Sequence, residues 1–238
     1  MTELPEVAVI LVHGACHGSW CWEELSPPLR NAGLTVTAVD LPLTSLADDA
    51  HVVREAVREA KEQGHMVLLA AHSYGGVVIT AAGHEADELM YCAATMPDSD
   101  ESASDAFERL FTPRLEAAME SMDDPAVFRL SAEGATPAFY NRCADSTIHA
   151  VLPRLRPMHH RCMTAPVGRA SWRDVPATYV VCTDDFAMAP SYQRACATIL
   201  GDYIEIDTDH SLFYSAPDAL LSRMLAVASR MRDRAQSI

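Results

Sequence analysis

Positive charge is scarce in this sequence. Lys and Arg number 18 against 33 Asp and Glu, a formal net charge of −15. Nucleic acid and anionic membranes both need a basic surface, so this balance excludes them as expected partners. It does not imply a cationic substrate, because dispersed acidic charge serves solubility. Long apolar runs are also missing. The stretch MTELPEVAVILVHGACHG has no basic region ahead of its apolar run. That run is too short to span a bilayer, and no later one is long enough. The expectation is a cytoplasmic chain. An even cysteine count is lacking too: there are seven, and Cys92 and Cys182 sit inside apolar, strand-like runs. Buried reduced thiols are expected rather than a disulfide framework. Cys16 and Cys21 lack metal-site spacing, and the stretch His159, His160, Cys162 has no second ligand pair at a useful distance. No metal and no organic cofactor are expected. Internal repeats and low-complexity segments are absent.

What is present is a rhythm. The 238 residues, 49% hydrophobic and 21% charged, suffice for one sizeable core. Short apolar runs alternate with helix-period stretches. VAVILVHG reads as a buried strand and GSWCWEELSPPLRNAG as a helix closed by Gly33. LTVTAVDLP is the next strand. SLADDAHVVREAVREAKEQG is a helix with Ser45 and Asp48 as a capping-box variant, an apolar face of Val53, Ala56, Val57 and Ala60, and Gly64 at its end. HMVLLAAHS, ELMYCAATM, ATYVVCTDD and DYIEIDTDH complete the strands. Runs that are apolar throughout and alternate with helices predict an α/β fold, with about six mostly parallel strands and helices on both faces. Residues 97–165 break the rhythm with short helical patterns and no strands. They are expected to form a helical cap inserted into a core of residues 1–96 and 166–238.

The chemistry centres on LLAAHSYGGVVITAAG, a strand, a sharp turn and a helix with Ser73 at the tip. Such a turn needs very small residues two before and two after the serine. Ala71 and Gly75 occupy those places. A serine needs a base, and the base an orienting acid. In enzymes built on this turn the acid and then the base follow at the ends of later strands. Asp184 and Asp185 follow ATYVVCT, and His210 follows DYIEID. An oxyanion hole needs two backbone N–H groups. Tyr74, directly after the serine, and Ala15, in the loop HGACHGSW, are the candidates, with His13 bracing that loop.

Taken together, ILVHGACHGSWCWEEL, AAHSYGG, YVVCTDD and DHSLFYSAP resemble the α/β-hydrolase fold superfamily, close to small bacterial esterase-like members and the plant methylesterase and hydroxynitrile lyase branch. The resemblance covers nearly all of the chain outside the cap. It implies an α/β-hydrolase fold lacking the first two strands of the full sheet, with a lid over the serine. It implies Ser73 as nucleophile, His210 as base, Ala15 and Tyr74 as oxyanion donors, and, by the pattern C-T-x-D, Asp185 rather than Asp184 as acid. The lyase branch carries a threonine after the first histidine and a lysine after the catalytic one; here those places hold Gly14 and Ser211. The segment DLPLTSLADD lacks the usual Gly-x-Gly loop.

The expected activity is hydrolysis of a carboxylic ester of a small to medium, apolar or aromatic substrate through an acyl-enzyme. C–C bond hydrolysis, lactone hydrolysis, a lyase step and a non-catalytic ligand receptor are the alternatives. Phe107, Leu110, Phe111, Met119, Phe128, Phe139 and Tyr140, with Cys16 and Trp20 near the oxyanion loop, are the candidate substrate-binding residues. The expected partner is a small-molecule ester, and a homodimer is left open.

Overall fold

The computed structural model describes residues 6–236. The N-terminal stretch considered above begins in residues 1–5, outside the described residues. Nine strands are seen: β1 (Val7–Val12), β2 (Thr35–Val39), β3 (Met66–His72), β4 (Glu88–Cys92), β5 (Met119–Ser121), β6 (Val127–Leu130), β7 (Met158–His159), β8 (Ala177–Cys182) and β9 (Tyr203–Ile206). Six of them form one parallel sheet in the order β2-β1-β3-β4-β8-β9. This is the six-stranded sheet that the resemblance implies, and its parallel sense brings the C-terminal ends of all six strands to one edge.

Strand alternation sends each strand's side chains to two cores. Ile10, Val12, Leu69 and Ala71 face one side, with α2 (Leu46–Glu62) and α3 (Gly75–Ala82) packed there. Val9, Leu11, Leu68 and Ala70 face the other, with Trp22, Leu29 and the long helix Pro217–Gln236 through Leu220 and Met224. Both faces are covered, which is why these strands read as unbroken apolar runs. In α2 the Ser45 side chain accepts from the backbone N–H of Asp48, and Val53 and Val57 are buried. Gly64, at φ +83°, allows the turn into β3.

Two expectations are corrected. The stretch 18–33 is not one helix: a 3-10 turn, Ser19–Trp22, precedes α1 (Ser26–Asn31). Pro27 and Pro28 are tolerated only in a first helical turn, so the helix starts afresh with them. The cap is not purely helical either. It contains a three-stranded antiparallel sheet, β5-β6-β7. In β6, Phe128 and Leu130 are buried and Arg129 is exposed, but four residues are too few for a period of two to stand out in sequence.

The edge where the strands end is conformationally strained. Cys16 after β1, Leu43 after β2, Ser73 after β3 and Ala93 after β4 all adopt positive φ, at 59°, 59°, 54° and 42°. Such geometry costs a non-glycine residue about 1–3 kcal/mol and persists only where its surroundings hold it. At Ser73 they do: its N–H donates to Cys92 O at 3.3 Å, and its carbonyl accepts from the N–H groups of Gly76 and Thr95, each at 3.0 Å. Close approach enforces the glycines that follow. A Cβ on Gly76 would lie 2.3 Å from Thr95 O and 2.8 Å from Ala94 Cβ. Gly76→Ala is therefore expected to destabilise by about 2–3 kcal/mol, roughly 5–10 °C in Tm, checked by thermal melting.

Candidate active site

The turn after β3 presents Ser73 at the sheet edge, partly exposed, with α3 starting two residues on. Gly75 is required there because a Cβ would meet His13 O at 2.7 Å and Val12 O at 2.8 Å. Ala71, two residues before the serine, is fully buried between Val12 and Tyr91, where its methyl group is accommodated.

The loop after β8 carries Asp185, which is buried and fully partnered. Oδ1 accepts from the N–H groups of Ala187 and Met188, both at 2.8 Å. Oδ2 accepts from Gln193 Nε2 at 2.8 Å and from His210 Nδ1 at 2.7 Å. A carboxylate only accepts, so Nδ1 of His210 donates in this bond and Nε2 is the ring nitrogen left for another partner. That Nε2 is buried with no hydrogen-bond partner among the described residues. Ser73 and His210 line the same cavity. Asp184 points elsewhere, to Arg142 at 2.7 Å. His72 donates from Nε2 to His210 O at 2.8 Å, and its ring lies 4.5 Å from that of His210. Burial holds the His72 pKa well below its ordinary value, so it adds no charge beside His210.

The loop after β1 is held by two neutral histidines. Nδ1 of His13 donates to Gly14 O at 2.8 Å, and Nδ1 of His17 donates to Ala15 O at 2.7 Å. In a trans peptide the N–H points opposite to the carbonyl of the same unit, so fixing Gly14 C=O fixes the direction of the Ala15 N–H. Nε2 of His13 accepts from Leu41 N at 2.9 Å, and Nε2 of His17 accepts from the Tyr140 hydroxyl at 2.7 Å. A neutral His13 means its 3.6 Å approach to Asp40 is not an ion pair. From the cap, Arg156 donates Nε to His17 O at 2.8 Å and its N–H to Cys16 O at 2.8 Å.

Burial lowers the pKa of His13 to about 4 and of His17 to about 3, from 6.5. Unfolding would let both take up protons near 6.5. Their contribution to stability is thus complete above about pH 6.5 and is lost as pH falls toward 4 and then 3. The melting temperature is expected to drop between pH 7 and 4; a flat calorimetric profile over that range would contradict the neutral assignment.

Ala15, Ser73, Tyr74 and His210 share a cavity of about 60 Å³ between sheet and cap. Its walls are apolar, including Phe107, Leu110, Met119, Phe139, Met163 and Met188, and no charged side chain lines it. Phe107, Leu110, Met119, Phe128 and Phe139 from the candidate set are in the wall; Cys16, Trp20, Phe111 and Tyr140 are not. Cys16, within the loop after β1, is buried, and burial pushes its thiol up to about 12. Trp20 stacks on His17, with Arg154 over its ring. Phe111 is exposed beyond Phe107, and Tyr140 spends its hydroxyl on His17.

Sequence reasoning does not find Gln193, whose Oε1 also accepts from Cys182 N at 2.8 Å, tying Asp185 to β8. It also misses Asp49, which is fully buried and accepts from the Tyr74 hydroxyl at 2.7 Å and from Leu43 N at 2.8 Å. Neither leaves a local signal. Among the described residues no group of three or more His, Cys, Asp or Glu is arranged to hold a metal ion.

Residues 9–223 match the Alpha/beta hydrolase family, and the chain belongs to it. Within that family it is 28% identical to methylesterase 7 of Arabidopsis thaliana over 93% of this chain and 96% of the relative. It is 25% identical to norfluorocurarine synthase 1 of Strychnos nux-vomica, over 93% and 95%. The solved structure of polyneuridine aldehyde esterase superposes with a TM-score of 0.80 at 21% identity, over 94% of this chain and 99% of that one.

Proposed function

We propose that this α/β hydrolase is a carboxylesterase acting on an uncharged, apolar or aromatic ester. The carrying observation is the orphaned Nε2 of His210, on a ring that Asp185 holds through Nδ1 and that lines the same cavity as Ser73. In this reading Ser73 attacks the ester carbonyl and His210 Nε2 takes its proton. Asp185 holds the imidazolium that results. The N–H groups of Ala15 and Tyr74 bind the oxyanion, each such donor being worth ~3 kcal/mol. His210 then protonates the leaving alcohol, and water repeats the steps on the acyl-enzyme. The family relatives named as esterases support this chemistry.

Gly14 favours hydrolysis over a lyase step. A Cβ there would lie 2.8 Å from Ser73 Cβ, so the threonine of the lyase branch has no room. The apolar wall provides no partner for a charged acyl group. At ~10–15 Å³ per water-sized position, the 60 Å³ cavity holds a group of roughly five heavy atoms. Phe107 and Phe139 are proposed to contact that group. Seven free cysteines, six of them buried, fit a reducing, cytoplasmic setting. No described helix is long and apolar enough to cross a membrane.

The test is a panel of p-nitrophenyl esters from acetate to long chains and benzoate. Turnover with a preference for short acyl groups is expected. A folded protein inactive on every ester would overturn the carboxylesterase reading.

A further inference from the structure

Five consecutive cap residues, 139–143, touch the oxyanion loop, the base and both loops that carry the acid and the base. Phe139 sets its ring edge-on to His210 at 5.1 Å and lines the cavity. Tyr140 binds His17 in the oxyanion loop. Asn141 Nδ2 donates to Asp184 O at 3.2 Å and to Asp184 Oδ2 at 3.1 Å. Arg142 donates Nε to Asp184 Oδ2 at 2.7 Å, Nη2 to Asp207 Oδ1 at 2.9 Å, and its backbone N–H to the buried Asp209 Oδ2 at 2.7 Å. Asp184 directly precedes the acid and Asp209 directly precedes the base. The two loops are also joined directly, by the Asp185–His210 bond, by the N–H groups of Thr183 and Asp184 donating to Ile206 O and Thr208 O, each at 3.0 Å, and by the Thr183 hydroxyl donating to Asp207 Oδ1 at 3.4 Å. Asp209 passes the restraint onward, since its Oδ1 accepts from Ser211 N at 3.1 Å.

We propose that Arg142 is a positioning residue: through its side-chain bonds to Asp184 and Asp207 it makes the spacing of Asp185 and His210 depend on the seating of the cap. This rests on the triad assignment above. Arg142 does not line the cavity, so its influence falls on the alignment of the reacting groups and not on substrate binding. A displacement of 1 Å is enough to cost ~100-fold in rate. One exposed ion pair alone stabilises little, but here one guanidinium bridges two loops that a backbone hydrogen bond also anchors. The side chains of Arg142 and Asp207 are exposed, so added salt screens their attraction.

The experiment measures kcat and KM for p-nitrophenyl acetate or butyrate, at low and high NaCl, in wild type, Arg142→Ala, Arg142→Lys and Asp207→Ala. For Arg142→Ala a roughly tenfold lower kcat with KM within twofold is expected. Asp207→Ala is expected to show a smaller fall of the same kind, and Arg142→Lys a partial recovery. Wild-type kcat is expected to decline with salt, and Arg142→Ala to lose that dependence. Wild-type kcat in Arg142→Ala, or a rise in KM alone, overturns the positioning role. If Arg142→Ala does not fold, the lysine and Asp207 variants decide on the same criteria. Ser73→Ala in parallel separates the two levels: an active Ser73→Ala removes the triad itself, whereas an inactive one beside a fully active Arg142→Ala removes only the role of Arg142.

Discussion

Ser73→Ala is expected to lower kcat for a p-nitrophenyl ester by ~10⁴-fold or more and to abolish labelling by a fluorophosphonate, with Tm close to wild type. The rate loss follows from the removal of the group proposed to form the acyl-enzyme, and losses of ~10⁴–10⁶ are typical when a serine nucleophile is deleted. Stability is expected to hold because the backbone at this position, φ 54°, is fixed by hydrogen bonds to Cys92, Gly76 and Thr95 that involve no side chain. Alanine keeps the same Cβ against Gly14. Turnover within tenfold of wild type would sink the nucleophile assignment. Melting curves recorded on the same samples guard against a trivial loss of fold.

Asp185→Asn carries the second large effect, a fall in kcat of ~10⁴-fold. All four partners of this carboxylate are donors: two backbone N–H groups, the Gln193 amide and His210 Nδ1–H. An asparagine must turn its NH₂ toward one pair of them. Facing the Oδ2 side, it drives His210 to the tautomer with the proton on Nε2, which then has no lone pair for the serine proton. Facing the other side, it leaves the NH₂ against two backbone N–H groups. Asp184→Asn is the control, expected to stay within about tenfold of wild type, since its remaining oxygen can still accept from Arg142 and Asn141. Equal losses in the two variants would refute the distinction between the neighbouring aspartates.

The parts of this site that were legible in sequence are those that sit at strand ends. Continuous apolar runs announce buried parallel strands, and the residue after each run falls on one edge of the sheet. That reasoning brings Ser73, the pair Asp184 and Asp185, and His210 to a single edge without knowledge of any contact; the choice of Asp185 rests on the family resemblance. The supporting residues obey no such rule. Gln193 reaches Asp185 from a helix, Asp49 reaches Tyr74 from α2, and Arg156 reaches the oxyanion loop across 139 positions of sequence. The cap was read least well for the same reason. Aromatic side chains there signal burial but not against which surface, so Phe139 lies over His210 while Tyr140, one residue on, faces His17. Its short strands pair only with each other, and two to four residues carry no clear period.

The left-handed residues that end the first four strands bear on how the enzyme meets heat. Strain is concentrated along the rim that holds Ser73 and the loop after β1, whereas the sheet beneath is relaxed and buried on both faces. Opening this rim releases strain, while opening the sheet exposes two cores. Warming is therefore expected to disorder the rim first, so that activity fades below the melting temperature of the bulk; loss of activity coincident with the calorimetric transition would refute this. Attempts to make the enzyme more heat-tolerant have more to gain at the edges of its site, at Leu43 and Ala93, than in its already well-filled interior.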